Sequence, residues 1–159
     1  MTASVLSQTT TAFRIGSENN AYSIFSGIGS TFYPGRWNKK SPVIYSASSY
    51  SLALLEKLVH TNTGDIPTNQ QWIDITIPVG TTYETVTTYG NLDWKRERVT
   101  KTEGEKWLKQ KRSCIMFVPS VISPVEFNIL INEAHPQFSN ITTGINQPVV
   151  WDKRLFFSG

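Results

Sequence analysis

The chain has 159 residues and a formal net charge of +3, and 39% of its residues are hydrophobic. This length and apolar content predict a single domain over 1–159, with the Ser- and Thr-rich residues 1–11 flexible. No apolar run reaches the roughly 18–20 residues of a membrane span, and the N-terminus lacks a signal-peptide pattern. We therefore expect a cytoplasmic protein without membrane contact. A single cysteine and two separated histidines give no metal-ligand spacing, so we expect no metal.

The first half of the chain predicts two strands and a helix. Apolar and polar residues alternate over 13–15, which favours an opening strand, and a loop rich in Ser, Gly and Asn follows as far as Gly35. A second strand is predicted over 42–45. The serines at 46–49 provide N-cap candidates for a helix over 51–60.

The predicted helix places a carboxylate beside the core. Its apolar residues form one stripe, made of Leu52, Leu55, Leu58 and Val59. Glu56 lies one turn beyond Leu52, on the margin of that stripe. We expect its carboxylate to be partly buried, which is an unusual position for a charged group.

The second half predicts more strand than helix. Isoleucines alternate with polar residues over 73–77, the pattern of a half-buried strand, which Pro78 ends. Thr102 and Glu105 have the spacing of a capping box, which predicts a short helix through Lys111. Further strands are predicted over 114–118, 127–131 and 155–157. This composition of elements predicts the α+β fold class.

A basic segment over 95–112 holds eight basic and three acidic residues. It could contact nucleic acid or an acidic partner, but a mixed-sign helical run is more often a solvated face. Beyond Trp94 and Trp107 it carries no aromatic residues for base stacking. We expect no direct nucleic-acid binding.

Arg36 is a candidate phosphate ligand. It lies in a turn with Gly35 before it and Trp37 after it, followed by two lysines. A guanidinium offers a planar, permanently charged fork that matches phosphate oxygens. The alternative is an exposed turn arginine packed over tryptophan.

Three further side chains are candidates for a site: Tyr45 and Glu56 could share one cleft, and the Ser120 hydroxyl could reach a ligand phosphate or ribose. Tyr45 ends a predicted strand, Glu56 follows eleven residues later on the next helix, and Ser120 follows an apolar strand. Alternatively, they are a core tyrosine, a helix-edge carboxylate and a turn hydroxyl. The Gly-x-Ser-x-Gly pattern of a serine nucleophile is absent around Ser120.

Seven short segments occur in one order along nearly the whole chain. They are Phe-Arg-Ile at 13–15, Gly-Arg-Trp-Asn at 35–38, Val-Ile-Tyr-Ser-Ala at 43–47, Ala-Leu-Leu-Glu at 53–56, Gly-Glu-Lys-Trp-Leu at 104–108, Val-Pro-Ser at 118–120 and Asn-Ile-Leu-Ile-Asn at 128–132. Together they resemble the RES-domain family, named for its arginine, glutamate and serine. The resemblance implies a compact α+β domain related to the ADP-ribosyltransferase toxins, with NAD bound as the substrate.

The resemblance also implies roles for the candidate residues. Arg14 and Arg36 would hold the phosphates or the ribose of NAD, and Tyr45 would orient the nicotinamide. Glu56 would act at the ribose, where a carboxylate stabilises the oxocarbenium character that develops as the nicotinamide leaves. Ser120 would complete the catalytic pocket. Asn128 is a further NAD-binding candidate.

The implied function is that of the toxin in a type II toxin–antitoxin pair, which depletes NAD by cleaving its nicotinamide–ribose bond. The partner would be an Xre-type DNA-binding antitoxin that covers the active site, with a toxin homodimer inside the complex. The acceptor stays open among water, phosphate and a protein side chain. Leu54 stands where arginine-modifying transferases have a second glutamate, which favours NAD degradation over ADP-ribosylation of a protein.

Two other classes of function remain as alternatives. A ribonuclease toxin could use the basic segment for substrate binding and His60 or His135 for acid–base work. A non-enzymatic module could bind nucleic acid through the basic segment, with a steep dependence on salt.

Overall fold

The chain folds around one mixed β-sheet. The computed structural model describes residues 3–19, 21–61 and 64–156. Its strands are β1 Ser4–Val5, β2 Thr10–Ser17, β3 Ile44–Ala47, β4 Gln70–Ile77, β5 Thr82–Thr85, β6 Ile115–Pro119, β7 Phe127–Ile131, β8 Thr142–Thr143 and β9 Gln147–Pro148. Its α-helices are α1 Ile28–Phe32, α2 Tyr50–Thr61 and α3 Glu97–Gln110, and short 3₁₀ helices cover Pro136–Asn140 and Lys153–Leu155. The predicted α+β class is confirmed.

The strands follow the order β1-β5-β6-β7-β3-β2-β4-β8, and β9 also pairs with β4. Only the β5–β6 pair is parallel among these pairings. In the centre of the sheet Asn128 of β7 stands opposite both Ala47 of β3 and Val118 of β6, and Tyr45 stands opposite Leu130. Because side chains alternate between faces along a strand, Tyr45 and Asn128 project from the same face.

Apolar side chains cover both faces of this sheet. One face carries a cluster dominated by isoleucines, among them Ile44, Ile129 and Ile131, which are fully buried. The other face is covered by Trp37 and by Trp107 of α3. Burying side chains of this size stabilises the fold by roughly 1.5–3 kcal/mol each for the aliphatic ones. The core therefore fixes the positions of the ends of the central strands.

Helix α2 lies where a helix was predicted, but the set of its residues that faces the core differs from the prediction. Leu52 and Ala53 are buried, at 1% and 6% exposure, whereas Leu55 and Val59 are 42% and 54% exposed. The predicted stripe was therefore wrong for Leu55 and Val59. The physical reason is that Leu52 and Ala53 together pack on side chains of β2 and β3, so that Glu56, one turn beyond Leu52, also faces the sheet.

The predicted capping box is also wrong. Helix α3 begins at Glu97, so Thr102 lies inside it and donates its hydroxyl hydrogen bond to the Arg98 carbonyl. Glu105 contacts a distant loop instead of the helix start. A tertiary contact has overridden a local motif.

The two ends of the chain also differ from expectation. Ser4–Val5 pairs with β5, and Leu6 is buried and exchanges backbone hydrogen bonds with residues 80 and 81, so this part of the expected flexible segment 1–11 joins the sheet. The strand predicted over 155–157 is wrong where the structure describes it, because Leu155 ends a 3₁₀ helix. Its last residue lies outside the described residues. No helix within the described ranges is long and apolar enough to cross a membrane.

Helix α3 approaches the 35–41 loop at a glycine. A Cβ atom at Gly104 would overlap the carbonyl oxygen of Trp37. Because that oxygen belongs to buried backbone, it cannot move aside easily. Gly104 is therefore required for the close packing of α3 on this loop.

We predict that Gly104→Ala lowers the free energy of unfolding by about 3 kcal/mol, the upper range for overpacking a buried site. Urea unfolding followed by tryptophan fluorescence measures this change. Lys106→Ala is the control, because it introduces alanine at an exposed position two residues further along the same helix. Its free energy of unfolding should stay within about 0.5 kcal/mol of the wild-type value. Equal stability of the two variants would contradict the assigned contact.

Candidate active site

Three of the predicted site residues meet in a hydrogen-bonded cluster. Glu56 Oε1 accepts one hydrogen bond from the Ser120 hydroxyl at 2.8 Å and another from Asn128 Nδ2 at 2.9 Å. These residues lie 64 and 72 positions from Glu56 in the sequence. The cluster joins α2, the end of β6 and the beginning of β7.

The strand register explains how Ser120 and Asn128 come together. Asn128 stands opposite Val118 of β6. Ser120 lies two residues after Val118, directly beyond the end of β6. The backbone N–H of Ser120 donates to the Glu126 carbonyl, and Ser123 N–H donates to the Ser120 hydroxyl. Ser120 is fully buried, so its hydroxyl is held in one orientation toward Glu56.

Two acceptor atoms of this cluster carry no hydrogen bond. Asn128 Oδ1 is buried without a partner. Among the residues that the structure describes, Glu56 Oε2 likewise accepts no hydrogen bond. Leaving a buried acceptor unpaired typically costs about 1–3 kcal/mol, which makes the cluster a candidate for binding a molecule that supplies donors.

Tyr45 is held from the side of the 35–41 loop. Its hydroxyl donates to Asn38 Oδ1 at 2.7 Å and accepts from Trp37 N–H at 3.1 Å. Burial raises the pKa of Tyr45, so the phenol is neutral over the physiological range. The ring lies directly below Gly35, where an added Cβ would come within 2.6 Å of the hydroxyl oxygen.

Asn38 is a fully bonded buried amide at the centre of this loop. Its Oδ1 accepts from Gly35 N–H as well as from Tyr45, and its Nδ2 donates to the carbonyls of Ser30 and Ser41 at 3.0 Å each. The side chain is entirely buried. It therefore links the loop that carries Arg36 to Tyr45, a role that sequence reasoning missed.

Glu105 anchors the same loop from α3. Its carboxylate accepts from the backbone N–H groups of Lys39, Lys40 and Ser41 and from the Ser41 hydroxyl, at 2.7–3.3 Å. Burial alone would raise its pKa, but these donors outweigh burial and hold the pKa of Glu105 below its ordinary value. This anchor was also missed, since its sequence spacing suggested a helix cap.

Arg36 extends from this loop toward the start of α3. Its NH2 group donates to the carbonyls of Trp94 and Lys95 at 2.9 and 3.1 Å, and NH1 lies 4.0 Å from Glu97 Oε2. The side chain is 33% exposed. Within the described residues, its Nε and NH1 groups make no hydrogen bond, so part of the guanidinium fork stays available to a ligand.

Arg14 lies on the other side of Tyr45. Its Nε donates to the Ile24 carbonyl and its NH1 to the Tyr45 carbonyl, both at 2.6 Å. Burial lowers the pKa of Arg14 to about 10, which leaves it charged at neutral pH. Burial, assisted by the charge of Arg14, also lowers the pKa of the partly buried Lys57. Lys57 was not among the predicted site residues.

The structure thus brings Glu56, Ser120 and Asn128 into direct contact and sets Tyr45 beside them. Tyr45 and Asn128 are diagonal neighbours on paired strands, a relation that separates positions by roughly 7–8 Å. Arg14 touches Tyr45 through its backbone, and Arg36 lies on the loop that holds the Tyr45 hydroxyl. Neither arginine contacts Glu56 within the described residues, and the roles of all six residues stay predictions.

The histidines do not join the cluster. The ring of His60 contacts the backbone carbonyl of Glu56, not its carboxylate, and His135 accepts from Gln137 N–H at the start of a 3₁₀ helix. These positions give no support to the acid–base pair that a ribonuclease would need.

The basic segment lies largely on α3 and in its flanks, where several of its charges are paired. Arg112 bonds both Glu84 and Glu103, and Lys101 pairs with Glu97. This pairing favours the solvated-face interpretation over a nucleic-acid surface.

Comparison with known proteins identifies the family. The family model described as RES domain matches residues 11–152. A toxin of Sphingobium named "Prs ADP-ribosylating toxin" is 38% identical over 157 residues, covering 92% of this chain and 97% of the relative. A "Toxin Res" of Yersinia enterocolitica is 32% identical over 149 residues, and the match covers 90% of this chain and 97% of that relative. The protein is of the RES toxin class.

The fold has a solved counterpart as well. A chain in the crystal structure of the M. tuberculosis MbcT–MbcA toxin–antitoxin complex superimposes with a TM-score of 0.67 at 15% identity, covering 90% of this chain and 85% of that one. This likeness concerns the fold. The family model and the sequence relatives show that the chain belongs to the RES-domain family, and the sequence-based identification is confirmed.

We predict that Glu105→Gln destabilises the protein by about 1–3 kcal/mol at neutral pH, because buried backbone donors lose a charged acceptor. The folded pKa of Glu105 is depressed, so the stability from its ionised form is complete above its ordinary pKa of 4.5 and is lost as the pH falls through the folded pKa. Urea unfolding of both proteins at about pH 7 and about pH 3.5 measures the difference.

The gap between wild type and Glu105→Gln should narrow at the lower pH. Glu97→Gln removes a carboxylate of the same helix that is 54% exposed, and it should produce a small change at both pH values. A gap that widens on acidification would contradict the assigned role of Glu105.

Proposed function

We propose that this protein is a toxin that cleaves NAD at the nicotinamide–ribose bond and so depletes cellular NAD. The observation that carries the proposal is the Glu56 carboxylate, which has one oxygen fixed by Ser120 and Asn128 while the other makes no hydrogen bond within the described residues. A carboxylate held in this manner can accept a ribose hydroxyl and face positive charge on the sugar. Both actions stabilise a transition state with oxocarbenium character.

The surrounding side chains fit the remaining parts of NAD. Arg14 and the half-exposed Lys57 provide positive charge on one side of Tyr45, and Arg36 provides it on the side of the 35–41 loop. These cations suit the pyrophosphate. The neutral ring of Tyr45 is suited to orient the nicotinamide by contact with its face.

Water or phosphate is the acceptor that we favour. Leu54 occupies the position two residues before Glu56, so α2 lacks the second carboxylate that would activate an arginine side chain. Water would make the protein a glycohydrolase and phosphate would make it a phosphorylase.

A second candidate is ADP-ribosylation of a protein target. It is favoured by the 38% identity to a relative whose name describes it as ADP-ribosylating. The Glu56 cluster would serve this reaction equally well, because the same bond of NAD is broken. The two functions differ only in the molecule that receives the ADP-ribose.

The proposed partner is an Xre-type antitoxin. Support comes from the toxin names of the relatives and from the structural counterpart, which was solved as a toxin–antitoxin complex. A toxin homodimer within that complex, and a cytoplasmic location, are parts of the same proposal.

The test is the release of nicotinamide from NAD by purified protein. We expect turnover with wild type and a loss on the order of 10²-fold in Glu56→Gln, which keeps the shape but removes the charge facing the sugar. Glu18→Gln, which changes an exposed carboxylate, is the matched control and should retain activity within about twofold, as surface substitutions usually do.

Added phosphate and added protein distinguish the acceptors. A rate that rises with phosphate indicates phosphorolysis, and an equal rate without phosphate indicates hydrolysis. Nicotinamide that appears only when a protein acceptor is supplied would replace NAD degradation by ADP-ribosylation. Absence of nicotinamide release in every condition would contradict both candidates.

A further inference from the structure

The side-chain amide of Asn128 uses its nitrogen but not its oxygen in the hydrogen bonds of the described residues. Its Nδ2 group donates to Glu56 Oε1 at 2.9 Å, which fixes the orientation of the amide. The reverse orientation would place Oδ1 against a carboxylate oxygen and would be repulsive. The oxygen therefore points away from Glu56, and it is buried without a hydrogen-bond partner.

Two buried asparagines elsewhere in this protein are satisfied. Asn38 makes four hydrogen bonds, and Asn132, on the continuation of the same strand as Asn128, donates to the Leu108 carbonyl and accepts from Ala134 N–H. Gln70 Oε1 is also buried without a partner, but its amide bonds a backbone carbonyl on an outer strand. The amide of Asn128 bonds the Glu56 carboxylate, so its unpaired oxygen belongs to the candidate site and calls for an explanation there.

The carboxylate that Asn128 contacts has a second acceptor without a partner. Glu56 Oε1 receives two donors, whereas Oε2 receives none from the described residues. Asn128 Oδ1 and Glu56 Oε2 belong to two side chains that are hydrogen-bonded to each other. A ligand that satisfies both oxygens must therefore carry two donors a short distance apart. A vicinal diol, with hydroxyls on adjacent carbons, supplies such a pair, and ribose contains one.

We infer that Asn128 is a specificity-determining residue: its Oδ1 accepts a hydrogen bond from one hydroxyl of the nicotinamide ribose while Glu56 Oε2 accepts from the other. This inference rests on the proposed function. It assigns to Asn128 a second action, since its Nδ2 also positions the Glu56 carboxylate. The substrate class is thus narrowed to nicotinamide nucleotides with both ribose hydroxyls present.

The position of Asn128 is compatible with this contact. The residue as a whole is partly exposed, although Oδ1 itself is covered. Contact between a substrate hydroxyl and this oxygen therefore requires the covering atoms to move. Gaining a donor for a buried unpaired acceptor then adds to binding, because the cost of the unpaired state is removed.

The test compares NAD with two analogues that lack the 2′ or the 3′ hydroxyl of the nicotinamide ribose, by kcat/KM for nicotinamide release. We expect wild type to use each analogue about tenfold less well or worse, the effect of one lost hydrogen bond in a site that desolvates its polar groups. In Asn128→Ala the penalty for one hydroxyl should fall to within about twofold while the other penalty remains.

Asn132→Ala is the matched control, since it removes a buried amide of the same strand outside the cluster and should keep both penalties. Two unchanged penalties in Asn128→Ala overturn the inference while leaving NAD cleavage intact. Loss of both penalties together overturns it as well, because the whole site is then disturbed. No release from NAD by wild type overturns the proposed function and this inference together.

A second variant decides the matter if Asn128→Ala does not fold. Asn128→Asp keeps an acceptor at Oδ1 but replaces the amide donor by a second carboxylate against Glu56. We expect the rate with NAD to fall, because the carboxylate of Glu56 loses one of its two donors, while both hydroxyl penalties are retained. Loss of either penalty in this variant overturns the inference.

Discussion

The hydrogen bonds that converge on one oxygen of Glu56 determine the geometry of the whole candidate site. A glutamate at the margin of a helix is ordinarily mobile, because its side chain has several rotatable bonds. Here the ends of two paired strands supply a hydroxyl and an amide to the same carboxylate oxygen. The pairing of Val118 with Asn128 brings those two donors together, so the register of the central strands is what positions the carboxylate.

Two carboxylates of this protein show opposite uses of the same chemical group. Both oxygens of Glu105 are saturated by donors from the 39–41 segment, and the result is a rigid loop. Glu56 has only one saturated oxygen within the described residues. The saturated carboxylate builds the scaffold, and the half-saturated one has capacity left for a substrate. Asn38 connects the two regions, because it binds the anchored loop and the Tyr45 hydroxyl at once.

Much of the central sheet could be predicted from local pattern. The apolar runs at β3, β6 and β7 and the alternation at β4 gave strands close to their observed bounds, and the serine at position 49 caps α2 as expected. The short strands β1, β5, β8 and β9 were missed, because two to four residues are too few for a periodic signal. Their positions depend on pairing with distant segments.

The candidate site was predictable in composition but only partly in contact. Glu56 at the helix margin was foreseen from a 3.6-residue period and Ser120 from its place after an apolar strand, and the family resemblance supplied Asn128. The partners of Glu105 and Asn38 were not foreseeable, since the bonds to Glu105 cross 64–66 residues and leave no periodic trace. Leu55 and Val59 were misplaced for a related reason: an apolar pattern states which residues tend to be buried, but the packing of Leu52 and Ala53 on β2 and β3 decided which side of α2 faces the sheet.

We propose that Glu56 and its two donors form the ribose end of an NAD site. The decisive measurement is a crystal structure of the protein with an NAD analogue that cannot be cleaved at the nicotinamide–ribose bond. We expect a ribose hydroxyl within hydrogen-bond distance of Glu56, with the nicotinamide against Tyr45 and the phosphates near Arg14 or Arg36. An analogue bound elsewhere on the protein, with the Glu56 cluster unaltered and empty of ligand, would contradict it.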